Sequence, residues 1–395
     1  MSGPLEGVRV LDFTWALAGP YATALLADLG AEVVKVEMPG VGDFTRRNAP
    51  FVGDVSHYFL SVNRGKKSIT LNLKHERGRE IARALARKSD VLVENFVPGT
   101  LDRLGLGYAE MSALNPRLVY ASCSGFGQTG PYAQRPAYDI IIQALAGTMS
   151  ITGERGRPPV RVGFSVGDLG GALFTTIGIL AALAERERSG LGQCVDVSLL
   201  DAQVALLENA FSRFFATGKV PERLGSRHPV VAPFQVYPSC DGQFVVAAGN
   251  ERQWPAFCRA LGLERLLADA RFATASQRAA NADDLEREVS AVTATLATAE
   301  CLAALAEAEV PCAPLQTIAQ AAADPHLAAR EMFVTLDHPR CGPLKVVGTP
   351  LKMSRTPPAV ARPSPDLGEH TEEVLATLLG LTAADVEYLR REGAV

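Results

Sequence analysis

The chain of 395 residues has no apolar run long enough to cross a bilayer. Its longest, Ala172–Leu183, falls well short of the ~20 residues a helical span needs. Its seven cysteines, at 123, 194, 240, 258, 301, 312 and 341, are odd in number and scattered, with no C-x-x-C pair. That argues against a disulfide framework or a zinc site and suits reduced thiols in a cytoplasmic protein. The six histidines (57, 75, 228, 326, 338, 370) show no H-x-x-x-H spacing, so no metal is expected. His228 and His338 each precede a proline and read as solvated or capping residues. The N-terminal Met1–Glu6 has neither a basic nor an apolar leader region, so no secretory signal is expected. Excess charge is also lacking: 39 basic against 43 acidic residues give −4, no reason to expect nucleic acid. What is present is ordinary globular composition, 47% hydrophobic and 21% charged, enough to build a core and to exclude wholesale disorder.

Strand and helix signals alternate through the first 200 residues. Strands are expected at Val8–Thr14, Glu32–Glu37, Ser68–Leu73, Val91–Asn95, Leu118–Ser124 and Cys194–Ser198. Between them, helices are expected up to Leu29 and at Glu76–Lys88, Tyr108–Asn115, Asp139–Gly147, Leu169–Arg188 and Leu199–Thr217. Continuous apolar strands separated by helices predict an α/β, doubly wound parallel sheet covered on both faces. The pattern changes after Gly218. A Pro- and Gly-punctuated linker precedes a hairpin, Phe234–Pro238 and Phe244–Ala248, turning at Asp241-Gly242. Three domain segments follow: 1–219 as the first part of a large α/β domain, 220–325 as a smaller α+β domain, and 326–395 as a terminal segment with renewed strands and two helices.

Several familiar motifs fail on context. Gly125-Phe126-Gly127-Gln128-Thr129-Gly130 matches G-x-G-x-x-G, but Pro131 follows at once, where a dinucleotide fingerprint needs a helix to open. Gly65-Lys66-Lys67-Ser68 resembles the end of a P-loop, yet position 60 is Leu and a strand follows. The usual machinery for hydride transfer and phosphoryl transfer is missing.

Val166-Gly167-Asp168-Leu169-Gly170-Gly171 stands directly before a long helical run and has two readings. Asp168 sits at a natural N-cap, which explains it structurally. It also has three glycines around it, which would let a large substrate approach, at a helix end that keeps a carboxylate ionised. A carboxylate so placed is a nucleophile toward an activated acyl group. Residues 35–103 add a second clue: 13 basic against 8 acidic side chains, including five of the eight lysines. A phosphate-bearing partner would suit the members near strand ends: Arg46, Arg47, Lys66, Lys67, Lys74 and Arg103.

The chain resembles the class III CoA-transferase family, the formyl-CoA:oxalate and carnitine/bile-acid group, along essentially its whole length. The resemblance rests on ordered segments that include Gly7–Thr14 (GVRVLDFT), Leu29–Glu37 (LGAEVVKVE), Gly42-Asp43, Val93–Phe96 (VENF), Tyr138-Asp139, Gly167-Asp168, Gly190–Gln193 (GLGQ) and Leu367–Val374 (LGEHTEEV). It implies a Rossmann-like large domain joined again by the terminal segment, a small domain, and interlocked homodimeric protomers. It implies Asp168 as the nucleophile, carrying CoA from an acyl-CoA to another carboxylic acid through an aspartyl intermediate. Coenzyme A contacts would fall to Ala16, Leu17, Ala18, Leu71, Lys74, Asn95, Phe96, Arg103 and Tyr138. Leu17 and Met38 stand where formyl-CoA transferases have glutamine and arginine, which puts oxalate chemistry in doubt. Phe51-Val52-Gly53, Tyr58–Lys67 and Gly249-Asn250-Glu251 look most like the succinate–hydroxymethylglutarate branch, implying dicarboxylic acyl groups such as succinyl. Arg46 or Arg47 would then clamp the distal carboxylate or serve the surface. Rival readings are a 2-methylacyl-CoA racemase, disfavoured by Tyr138 where that branch has histidine, and a catalytically silent acyl-CoA-binding protein.

Overall fold

A computed structural model describes residues 3–395 of the protein. Contacts divide the chain into two units, one of Met1–Thr148, Arg161–Phe215 and Pro325–Val395, the other of Met149–Val160 and Ala216–Asp324. The first is built on six parallel strands: β1 (Arg9–Asp12), β2 (Glu32–Glu37), β3 (Lys67–Thr70), β4 (Val91–Glu94), β5 (Val119–Ser124) and β6 (Cys194–Ser198). Their order is β3-β2-β1-β4-β5-β6. The order reverses between β1 and β4, and at such a switch point the loops leaving the carboxyl ends of the two strands diverge and open a crevice.

Alternation along each strand fills both faces. Val10, Val33, Val91, Val93 and Val119 pack on one side with Leu26 of helix α1 (Ala18–Asp28). Leu11, Val34, Val36, Ile69 and Leu92 pack on the other with Ile81 and Leu85 of α2 (Glu76–Arg87). Val374, Leu375, Val386 and Leu389, from the terminal helices Thr371–Leu379 and Ala383–Arg391, belong to that same second layer. Gaps on the first face are closed by Ile179, Ala182 and Leu183 of a 24-residue helix, Val166–Ser189. By length and composition it is the one helix among the described residues able to cross a membrane, but half of its apolar window is buried here against the sheet.

Expected strands near 333–347 do form, at Phe333–His338 and Gly342–Val347, but they pair with each other and do not extend the sheet. Their every-other-residue burial explains this, since one face of the pair stays wet. His338, expected to be solvated, is buried at the end of the first of them, and its Nδ1 accepts the Arg340 N–H. The second unit is a three-stranded antiparallel sheet of Phe234–Pro238, Gln243–Ala247 and Cys312–Pro314. Its core gathers Tyr237, Phe244, Trp254, Phe257 and Phe272.

Candidate active site

The loop after β1 is held from below by buried charges. Asp12 is fully buried; its Oδ1 accepts from Thr14 N (2.8 Å), and its Oδ2 accepts from Thr23 Oγ1 (2.7 Å) and Lys66 Nζ (3.0 Å). Burial alone would raise Asp12, but the Lys66 and Lys35 ammonium groups outweigh it and hold the carboxylate below its usual range. Lys35, equally buried, donates to Thr14 O at 2.5 Å and lies 3.2 Å from Asp43 Oδ2. Asp43 Oδ1 accepts from Thr45 N and Oγ1 (3.0 and 2.7 Å) and from Ala16 N (3.4 Å). Ala16 sits at φ +67°, a left-handed conformation that costs an alanine about 1–2 kcal/mol. Asn95, just past β4, clamps Trp15 from both sides: it accepts Trp15 N (3.0 Å) and donates to Trp15 O (2.8 Å).

These contacts revise the reading of the basic segment. Lys35 and Lys66 are interior counter-ions, Arg46 is committed to Glu37 (2.6 and 2.8 Å), and Lys67 bridges Glu32 and Glu373 (2.9 and 2.8 Å). Arg46 is therefore not placed to clamp a substrate carboxylate, because its guanidinium is spent on Glu37 and stacked on Phe59. Arg47, Lys74 and Arg103 remain exposed.

Asp168 lies in the first turn of the helix Val166–Ser189, here α5 once helices α3 (Tyr108–Leu114) and α4 (Asp139–Leu145) are counted. The expected N-cap role is not what the structure shows: Ser165 is the cap residue, with no side-chain cap bond. Nor does the helix end keep Asp168 readily ionised. Burial, helped by the Asp139 carboxylate, pushes it up to about 7. Asp139 is itself fixed, accepting Gly167 N at 2.8 Å and Gln143 Nε2 at 2.7 Å. The neighbouring glycines do not open a path to the carboxylate either. A Cβ at Gly171 would lie 2.2 Å from Leu199, one at Gly170 2.9 Å from Leu206, and one at Gly167 2.9 Å from Gln203. They seat α5 against α6 (Leu199–Leu206).

Two adjoining cavities open at the switch point. The larger, about 570 Å³, is lined by Asp168 together with Ala16, Leu17, Ala18, Asn95, Phe96 and Tyr138. The smaller, about 200 Å³, is lined by Leu71, Lys74, Phe96 and Met38, with Lys35, Glu37 and Asp43 at its polar end. Trp15, Phe96 and Thr100 border both. Of the positions to which the resemblance assigns coenzyme A contact, only Arg103 lines neither; its Nη2 donates to Thr100 Oγ1 at 3.1 Å. Tyr138 is 75% exposed at the rim. The start of α1, Leu17 and Ala18, lines the same cavity as Asp168, and no acidic residue in its first turn offsets the positive end of the helix. Sequence reasoning missed Trp15, Cys123, Ser124, Thr100 and Arg135 in these linings. The available signal was position, since all follow or end strands β1, β4 and β5. The glycine-rich stretch 125–130 is a loop, its Gln128 N donating to Asp196 at 3.0 Å.

Comparison with known proteins agrees with this architecture. A model of CoA-transferase family III matches residues 5–371. An acetyl-CoA:oxalate CoA-transferase from Acetobacter aceti is 46% identical over 353 residues, covering 89% of this chain and 90% of that protein. The succinyl-CoA:glutarate CoA-transferase of Mus musculus is 39% identical over 393 residues, covering 99% and 90%. Among solved structures, a CAIB/BAIF family protein from Brucella suis superposes with a TM-score of 0.85 at 39% identity, covering 96% of this chain and all of that one. The chain belongs to CoA-transferase family III and is a class III CoA-transferase.

Proposed function

We propose that the protein moves CoA from a dicarboxylic acyl-CoA, such as succinyl-CoA, to a second carboxylic acid through a covalent intermediate on Asp168. The observation that carries this reading is the larger cavity, where one carboxylate, Asp168, shares a wall with six of the residues to which the resemblance assigns CoA contact. The relatives named for succinyl-CoA, glutarate and mesaconate support the dicarboxylic assignment.

The chemistry needs no net proton transfer. An Asp168 oxygen attacks the thioester carbonyl, the C–S bond breaks, and CoA leaves as thiolate from a mixed anhydride. The thiolate then attacks the Asp168 carbonyl carbon, releasing the donor acid and leaving an aspartyl-CoA thioester. The acceptor carboxylate attacks that thioester, and returning thiolate captures the new acyl group and frees Asp168. Each tetrahedral oxyanion forms beside the N-terminus of α1, whose dipole and N–H groups suit a developing negative charge. A raised proton affinity also makes the ionised Asp168 a stronger nucleophile.

Exposed apolar side chains at Leu173, Phe174 and Ile177 of α5, and at Ile140, Ile141 and Leu145 of α4, support a homodimer of interlocked protomers. Seven unpaired cysteines support a reducing, cytoplasmic setting. The test is mass spectrometry after incubation with succinyl-CoA and hydroxylamine. A hydroxamate is expected on Asp168. Asp168→Ala should lose it together with on the order of 10⁴-fold or more of the transfer rate. Full activity in a folded Asp168→Ala variant would overturn the mechanism.

A further inference from the structure

Arg135 and Ser124 are polar groups of the larger cavity that the chemistry above does not use. Arg135 is the one Lys, Arg or His side chain among its described lining residues. Ser124, at the carboxyl end of β5, is 6% exposed, and its Oγ has no hydrogen-bond partner. A buried hydroxyl left without a partner is costly, so an orphan facing a cavity marks a position where a ligand atom completes the bond. The other side-chain amide there is already engaged, Asn95 being bound to the Trp15 backbone on both sides.

Arg135 is set up to receive an anion. Its guanidinium carbon lies over the Tyr132 ring, 4.0 Å from the centroid, and Tyr132 packs edge-on against Phe126 at 5.7 Å. Its N–H donates to Tyr132 O at 2.8 Å, and Pro136 follows, so backbone and side chain are both restrained. Among the described residues it forms no ion pair with a carboxylate. Stacking occupies the faces of a guanidinium and leaves its N–H edges for a bidentate carboxylate.

Resting on the transferase reading, we infer that Arg135 and Ser124 bind the far carboxylate of a dicarboxylic acyl group while its thioester end faces Asp168. Both donors and Asp168 line one cavity, so the carbon chain of a diacid would lie between guanidinium and nucleophile. A monocarboxylic acyl group of the same length leaves both donors unfilled. The pair thereby takes the role that the Glu37 contact denies to Arg46.

The test compares kcat/KM for succinyl-CoA and butyryl-CoA, each with acetate as acceptor. In Arg135→Gln the succinyl-over-butyryl ratio should fall about 30-fold, as expected for loss of charge-assisted hydrogen bonds. In Ser124→Ala it should fall about fivefold, and Arg135→Lys should restore part of the loss. Equal losses for both donors would assign Arg135 to the shared CoA moiety and overturn the inference, as would a ratio unchanged within about twofold. The parent mechanism is read separately: a hydroxamate on Asp168 formed from butyryl-CoA in Arg135→Gln keeps it intact. Absence of exchange with every acyl-CoA in the unmodified protein would instead sink the transferase reading.

Discussion

Two groups of carboxylates sit at the same edge of the sheet under opposite conditions. Asp12, Glu37 and Asp43 are almost wholly buried, yet each faces a cation: Lys66 for Asp12, Arg46 for Glu37, Lys35 for Asp43. Asp168 is less buried, and the charge acting on it is another carboxylate, Asp139. Depth alone would point to the wrong aspartate. Compensated charges hold the loop that shapes the cavities, while the uncompensated one has its proton affinity raised.

The comparison can be broken hardest at Lys66. Lys66→Met leaves Asp12 buried without its main partner and should destabilise the fold by about 3–5 kcal/mol in chemical denaturation. A loss under about 1 kcal/mol would mean the pair is not structural. Asp168→Asn should act in the opposite sense. Because the folded-state value near 7 lies above the ordinary 3.8, the unfolded chain ionises first, and stability falls as pH rises between about 4 and 7. The asparagine variant, lacking that cost, should be more stable than the native chain by on the order of 1–3 kcal/mol at pH 8, with the gap closing toward pH 4. By the same titration native kcat/KM should rise with pH up to about 7 and then level, as seen in a pH–rate profile. The smallest effect belongs to Lys67, whose bridges to Glu32 and Glu373 are partly exposed. Lys67→Ala should cost less than about 1 kcal/mol, and the difference should shrink in high salt.

How much was legible in the sequence follows the range of each interaction. Glu32–Glu37 and Cys194–Ser198 were readable to the residue because apolar β-branched runs carry their own signal. The helix expected over 199–217 instead breaks at Leu207 into Leu199–Leu206 and Glu208–Thr217, with no Gly or Pro to announce it. Asp168 stood out locally, but its environment did not, since Asp139 lies far back in the chain. The basic segment misled for the same reason. Lys66 finds Asp12 54 positions away and Lys67 finds Glu373 306 positions away, pairings that no local count of charge reveals. Arg135 and Ser124 needed the cavity itself, because an unpartnered hydroxyl is visible only once its neighbours are placed.

The glycines of α5 form a keyway. Gly167, Gly171 and Gly178 leave no space for even a methyl group before Gln203, Leu199 and Val195. The helix is therefore closely seated against the sheet edge, and Asp168, carried in its first turn, inherits that setting. Replacing a helical glycine with alanine ordinarily adds about 1 kcal/mol of stability. On this helix the added methyl would have to displace Gln203, Leu199 or Val195, which offsets that gain. The placing of the Asp168 carboxylate is set by atoms that are left out.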